Sequence, residues 1–173
     1  MGVNAIPDKI VNYNLYNDEE KLFGVGGEIT LPNFEAMTET ISGAGILGEI
    51  ESPNLGHFGS LPLEIPLRML DEQSMKIVSK SMATITLRAS EQSYDVSSGV
   101  TEHRGLKIVT KGIPKGIDLG TAGVGKPTET KVTLELVYIK IMLDNKVLLE
   151  LDKINFVFIV DGKDLLADVK NQI

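Results

Sequence analysis

Two histidines, His57 and His103, are the side chains to weigh first for chemistry, and there is no cysteine to join them. Neither belongs to a spacing such as H-x-x-x-H, and a zinc site needs several nitrogen or sulfur donors converging on one ion. His57 lies between glycine-rich stretches and reads as a ring packed at an interface. His103, in Thr101-Glu102-His103-Arg104-Gly105, reads as a solvated turn. The acidic groups Asp18-Glu19-Glu20 and Glu49 with Glu51 could ligate a cation. Such residues are more often solvated turns and strand faces. The run Gly43-Ala44-Gly45-Ile46-Leu47-Gly48 has the spacing G-x-G-x-x-G. Its dinucleotide chemistry requires a strand before it and a helix after it, so that a pyrophosphate meets the helix N-terminus. Glu49-Ile50-Glu51-Ser52-Pro53 follows instead, and neither the acids nor Pro53 can build that anion site. No nucleophile elbow G-x-S-x-G is present. The expectation is a protein with no catalytic, metal or cofactor residues, not an enzyme.

The glycines therefore need a different explanation. Gly43, Gly45, Gly48, Gly56 and Gly59 lie close together between Pro32 and Ser60. Glycine this dense marks backbone that visits φ > 0 or lies against another backbone. Ordering it is entropically costly, so a long ordered loop of this kind usually has a partner or a function. Gly24-Val25-Gly26-Gly27 reads as a strand bulge or turn.

The elements around this segment are mostly strands. Leu61 to Leu70 alternates: Leu61, Leu63, Ile65, Leu67 and Met69 on one face, Pro62, Glu64, Pro66 and Arg68 on the other. That is the period of a half-buried strand, with prolines suiting an edge or a bulge. Ser81 to Ala89 places Ala83, Ile85, Leu87 and Ala89 inward and Thr84, Thr86 and Arg88 outward. A strand over Lys107 to Ile113 leads into a loop, Pro114 to Thr128. Glu129 to Leu143 alternates first, with Thr133 and Glu135 outward, and then becomes apolar on both faces from Val137. A strand that changes in this way is being covered on its second side. Asp144-Asn145 suits a two-residue hairpin turn before Lys146 to Leu151, and Ile154 to Val160 is strongly β-prone. Short helices are expected at Asp71 to Ser79 and Lys163 to Ile173.

The 173 residues suit one domain with a real core. The chain is 42% hydrophobic and carries a net charge of −7, which disfavours a generic nucleic-acid binder. No window approaches the ~18 consecutive apolar residues of a membrane helix, and the first residues lack a signal-peptide pattern. Aromatic residues are 5% of the chain, without tryptophan, which weakens a sugar-stacking platform. An acidic β-sandwich binding module, for example for a cell-surface glycan, remains the alternative reading from residues alone.

Several segments carry a resemblance. Leu31-Pro32-Asn33, Glu35 to Ile46, Gly48-Glu49-Ile50, Ser52-Pro53 and Leu55 to Ser60 resemble the major tail tube protein of contractile-tailed phages. Ile6 to Asn12, Tyr16-Asn17-Asp18, Glu150 to Asn155 and Val160-Asp161-Gly162 resemble the two ends of that family. The resemblance implies a mainly β fold: two packed antiparallel sheets in a β-barrel-like subunit with one or two short helices. It implies a single tail tube domain over 1–173, with an N-terminal arm of about 1–20 and a glycine-rich loop of about 43–60. Six subunits would form a ring, and rings would stack into a hollow tube that penetrates the host envelope and conducts DNA. Contractile phage-tail-like bacteriocins use the same type of tube.

The implied partners are the chain itself, the tail sheath protein, baseplate and tail terminator proteins, and a tape measure protein in the lumen. DNA would pass without specific binding, and no stable membrane insertion is expected. The implied place is the virion tail, or a phage-tail-like particle, made in the bacterial host cytoplasm. Within that picture Gly43, Gly45, Gly48, Pro53, Gly56, His57, Phe58 and Gly59 are candidates for ring stacking. The polar strand faces, Glu64, Arg68, Thr84, Thr86, Thr133 and Glu135, are candidates for an acidic lumen. The outer surface, facing sheath or solvent, competes for the same residues, because alternation gives direction relative to the core only.

Overall fold

A computed structural model describes residues 5–173. Residues 1–4, the start of the expected N-terminal arm, lie outside the described residues. The elements run β1 (Ala5–Asn17), β2 (Glu20–Leu22), β3 (Ala36–Ser42), β4 (Glu49–Phe58), β5 (Pro62–Leu67), α1 (Glu72–Val78), β6 (Ala83–Asp95), β7 (Thr101–Asp118), β8 (Thr130–Leu143), β9 (Lys146–Asp152), β10 (Val157–Val160), β11 (Lys163–Asp164) and α2 (Ala167–Lys170). The chain is thus mainly β with two short helices, in two antiparallel sheets. The larger has the order β11-β10-β9-β8-β7-β6-β1-β2, with β5 also paired to β8. The smaller is the β3–β4 hairpin alone.

Strand β8 organises the larger sheet. One edge pairs with β7 throughout. The other is divided, Thr130–Glu135 to β5 and Tyr138–Leu143 to β9. The sheet curls until Gly24–Thr30 meets β5 across a seam. Among the described residues only the isolated bridges Val25↔Leu67 and Thr30↔Glu64 span it, so the sheet is barrel-like and not a closed barrel. Leu63, Ile65, Leu134, Leu136, Ile85, Leu87 and Ile139 fill the inside. Helix α1 begins at Asp71, whose carboxylate accepts the Ser74 N–H at 3.2 Å, and it puts Ile77 into the same core.

The expected strands at β5, β6, β8 and β9 form, and Asp144-Asn145 makes its tight turn with φ of 47° and 65°. Several readings change, among them the strand expected over Ile154 to Val160, whose first three residues are turn, so that β10 starts at Val157. Pro114 to Asp118 is not loop: it continues β7, and His103 lies in that strand's first half, not in a turn. The apolar run after Val137 has a different origin as well. Lys111 pairs with Tyr138 and Gly112 with Leu136, so Val137 is an extra residue, a bulge. It moves the inward set from Val132, Leu134 and Leu136 to Ile139 and Ile141. Finally, Lys163–Asp164 is a strand paired to β10, and the terminal helix shrinks to Ala167–Lys170.

Two stretches of strand edge have no strand beside them among the described residues. On β1, pairing to β2 covers only Leu15–Asn17. On β7, β6 stops at Gly112. Both stretches contain a proline, Pro7 and Pro114, and both are broken by register shifts. Proline offers no N–H, and bulges spoil the regular spacing that a second chain would copy.

The core accounts for stability. Leu134→Ala, at a fully buried site, should cost about 2–5 kcal/mol, read as a lower urea midpoint at unchanged m-value.

Candidate assembly site

The β3–β4 hairpin is an arm. Its strands pair with each other and not with the body, and its glycines sit at two places with two different purposes. At the tip, Gly43, Gly45 and Gly48 take φ of 151°, 91° and 99°, values that a residue with a Cβ rarely adopts. The G-x-G-x-x-G run is therefore a turn between two strands, with no helix after it. At the base, Ala36 pairs with Phe58 and Thr38 with Pro53, so Asn54–His57 bulges out of β4. Gly56 (φ 74°) lies there, and a Cβ on it would come within 3.1 Å of the Leu166 side chain.

Cross-strand partners share a face. One face of the arm carries Thr38, Thr40, Ser42, Glu49, Glu51 and Pro53; the other pairs Ile41 with Ile50. Ile41, Ile50, Met37, Leu55 and the tip residue Leu47 are all exposed, Leu47 completely. From Leu31 to Ser60 there are glutamates but no lysine or arginine. The arm is thus an acidic ribbon with uncovered apolar side chains, which is the composition of an unpartnered interface.

The arm is rooted firmly. Phe34, Phe58 and Phe158 stack edge to face, with centroids 5.6 and 5.2 Å apart. Beyond Phe58, the Glu135 carboxylate accepts the Ser60 hydroxyl at 2.6 Å and the Leu61 N–H at 2.9 Å. Lys153 donates to the Gly59 carbonyl at 2.7 Å. His57 is exposed in the bulge, and no three potential metal ligands converge among the described residues.

The second candidate set lies elsewhere. Register puts Glu64, Thr133 and Glu135 on the outward face of β5 and β8, and Thr84 and Thr86 on the outward face of β6. The sheet continues between them, so these residues share one face. Arg68 follows β5 in the same alternation and is exposed. Thr86 is buried among its neighbours, and Glu135 is engaged by the arm root.

The centre of this face is not acidic. Arg88, Lys107, Lys111 and Lys140 alternate on it, with Glu150 and Asp152 at the β9 margin. Lys140 lies 3.5 Å from Glu150, and the Arg88 guanidinium sits 5.0 Å from the Tyr16 ring centroid. The strand alternation points to the threonines and glutamates and places Arg88 outward with them, but gives no local sign that these cations gather at the centre of the face. Tyr138 belongs to the cluster: burial, and then its 2.9 Å hydrogen bond to Glu150, push its hydroxyl up to about 12.

The family described as phage tail tube protein FII matches residues 7–173. The chain belongs to this family. It is 30% identical to the major tail tube protein of Serratia phage KSP20 over 165 residues, 95% of this chain and 94% of that one. It is 26% identical to the tail tube protein of Escherichia phage P2 over 178 residues, 98% of each. The family is structural and not enzymatic. Membership makes the chain a component of a phage tail tube, one that assembles with itself and with other tail parts.

The Tyr138 environment gives a pH test. Its folded pKa is raised above the ordinary 10.0, so its stabilising effect is complete below about pH 10 and is lost as pH rises toward about 12. Tyr138→Phe should remove that part of the alkaline fall in stability, measured by urea unfolding across the pH series.

Proposed function

We propose that six copies form a ring, and that rings stack into the inner tube of a contractile tail that crosses the host envelope and conducts DNA. The observation that carries this reading is the arm. A well-packed subunit projects a two-stranded ribbon with exposed Ile41, Leu47 and Ile50, and burial of such side chains is favourable by about 1.5–3 kcal/mol each. In stacked rings every subunit would make this contact, so a modest pairwise energy would repeat along the tube. Gly43, Gly45, Gly48, Pro53, Gly56, His57, Phe58 and Gly59 then serve stacking in two ways, as a turn at the tip and as a bulged base.

The outward face of β5, β6, β7 and β8 is the proposed channel lining. Hydroxyls, the ion-paired Lys140 and the ring-held Arg88 and Lys111 would offer passing phosphates little to grip. Sheath would surround the tube, a baseplate and a terminator would meet its ends, and a tape measure protein would fill the lumen before ejection. The particle would be made in the host cytoplasm. A phage-tail-like bacteriocin would use the same tube without DNA.

Negative-stain microscopy of purified protein, with and without baseplate, tests assembly. Rings of six and stacked tubes are expected, and a protein that stays monomeric in both conditions would refute the reading. Gly45→Val should leave circular dichroism unchanged, because open space surrounds the site, yet shorten or abolish tubes, because valine resists φ of 91°. Normal tubes from this variant would remove the tip from stacking. Glu64→Lys should preserve tubes and slow DNA ejection, more so at low salt. Equal rates at every salt concentration would place Glu64 outside the channel.

A further inference from the structure

The arm meets the body at one short junction. Gly59, Ser60 and Leu61 join the end of β4 to β5, and each is tied by one hydrogen bond to a side chain distant in sequence. Both Glu135 oxygens are used, one by Ser60 and one by Leu61. Lys153 and Lys115 each approach the same carboxylate at 3.9 Å, one at either oxygen. Leu61 is buried, and its carbonyl accepts the Leu136 N–H at 2.9 Å, so the body side of the junction is fixed. Gly59 has open space around its Cα, so nothing steric limits the arm side.

The geometry points to Glu135 and Lys153 as a clasp that sets the angle at which the arm leaves the body, and so governs whether its tip meets the next ring. This rests on the reading of the arm as the stacking element. The lever is long. The seven residues of β3 run from Ala36, opposite Phe58 at the root, to Ser42, opposite Glu49 near the tip, and extend about 20 Å, so a swing of about 15° at the root moves the tip by about 5 Å. That displacement equals the ~4.8 Å spacing between neighbouring strands, enough to carry a tip contact to the wrong strand. The aromatic stack at Phe58 holds the root against the body, but edge-to-face rings tolerate rotation. Directional, charge-assisted bonds do not. Burial opposes ionisation of Glu135, yet the Ser60 and Leu61 donors and the two lysines outweigh it and hold the carboxyl below its ordinary range. The clasp is therefore closed at neutral pH. Glu135 is on this view a positioning residue for assembly, although it shares the face proposed for the channel.

The chain has no cysteine, so two can be introduced for spin labels without interference. Leu47 at the tip and Val124 on the body are fully exposed. Leu47→Cys with Val124→Cys reports the tip-to-body distance in the unassembled subunit by pulsed electron resonance. A narrow distribution is expected with the clasp intact. Adding Glu135→Ala should broaden it, speed Leu61 amide exchange about tenfold relative to Leu134, and cut tube yield about tenfold. Adding Lys153→Met instead should broaden the distribution while leaving the carboxylate in place, and this variant decides the matter if Glu135→Ala does not fold. Without either substitution, acidification through the Glu135 titration should broaden it reversibly, a dependence absent from Glu135→Ala. Distributions as narrow as the parent's in both variants would overturn the clasp. Broad distributions with undiminished tubes would instead overturn the stacking role of the arm, while the clasp itself stood.

Discussion

Strand pairing along β8 is the interaction on which the rest of the structure depends. Its inward residues Val132, Leu134, Leu136 and Ile139 are the centre of the core. Its divided edge allows β5 and β9 to occupy one side in succession. The bulge at Val137 falls at the point of division. It adds the local twist that lets the sheet curl while keeping apolar side chains inward on both halves. The same strand supplies Glu135 to the arm root and Tyr138 and Lys140 to the outward face. One element thus couples the core, the projecting ribbon and the proposed channel surface.

That coupling explains which parts were legible in the sequence. Leu61 to Leu67 and Ala83 to Ala89 have one wet and one dry face, and their alternation announced them. The mainly β class and the tight Asp144-Asn145 turn followed. The arm strands β3 and β4 did not announce themselves, because a ribbon exposed on both faces has no reason to alternate and its glycines imitate a loop. The distal half of β7 was hidden for a similar reason: Pro114 and Gly116 read as loop punctuation but serve a bulged edge. The outward face was legible residue by residue, including the side on which Thr84, Thr133 and Glu135 lie. The part played by Glu135 was not. Its partners Ser60 and Leu61 are 75 and 74 residues away, and no local pattern carries such a pairing.

Charge is distributed unevenly over this acidic chain. The arm has carboxylates and no lysine or arginine, while the outward face of the central strands gathers Arg88, Lys107, Lys111 and Lys140. Most of those cations are occupied, by Glu150, by the Tyr16 ring or by the Tyr138 ring. A net charge of −7 therefore describes neither surface. Arms of neighbouring copies repel one another at distances within a Debye length, ~8 Å at physiological salt, so any close packing of arms must be driven by their apolar residues.

The uncovered edges of β1 and β7 bear on timing. An edge broken by proline and bulges is a poor template for another strand, so it disfavours chance strand addition between free subunits. A pool of free subunits can then become supersaturated without forming stray fibres. Growth in that regime is confined to ends that already exist. The length of the product is then information held outside the subunit, in whatever starts the polymer and whatever stops it.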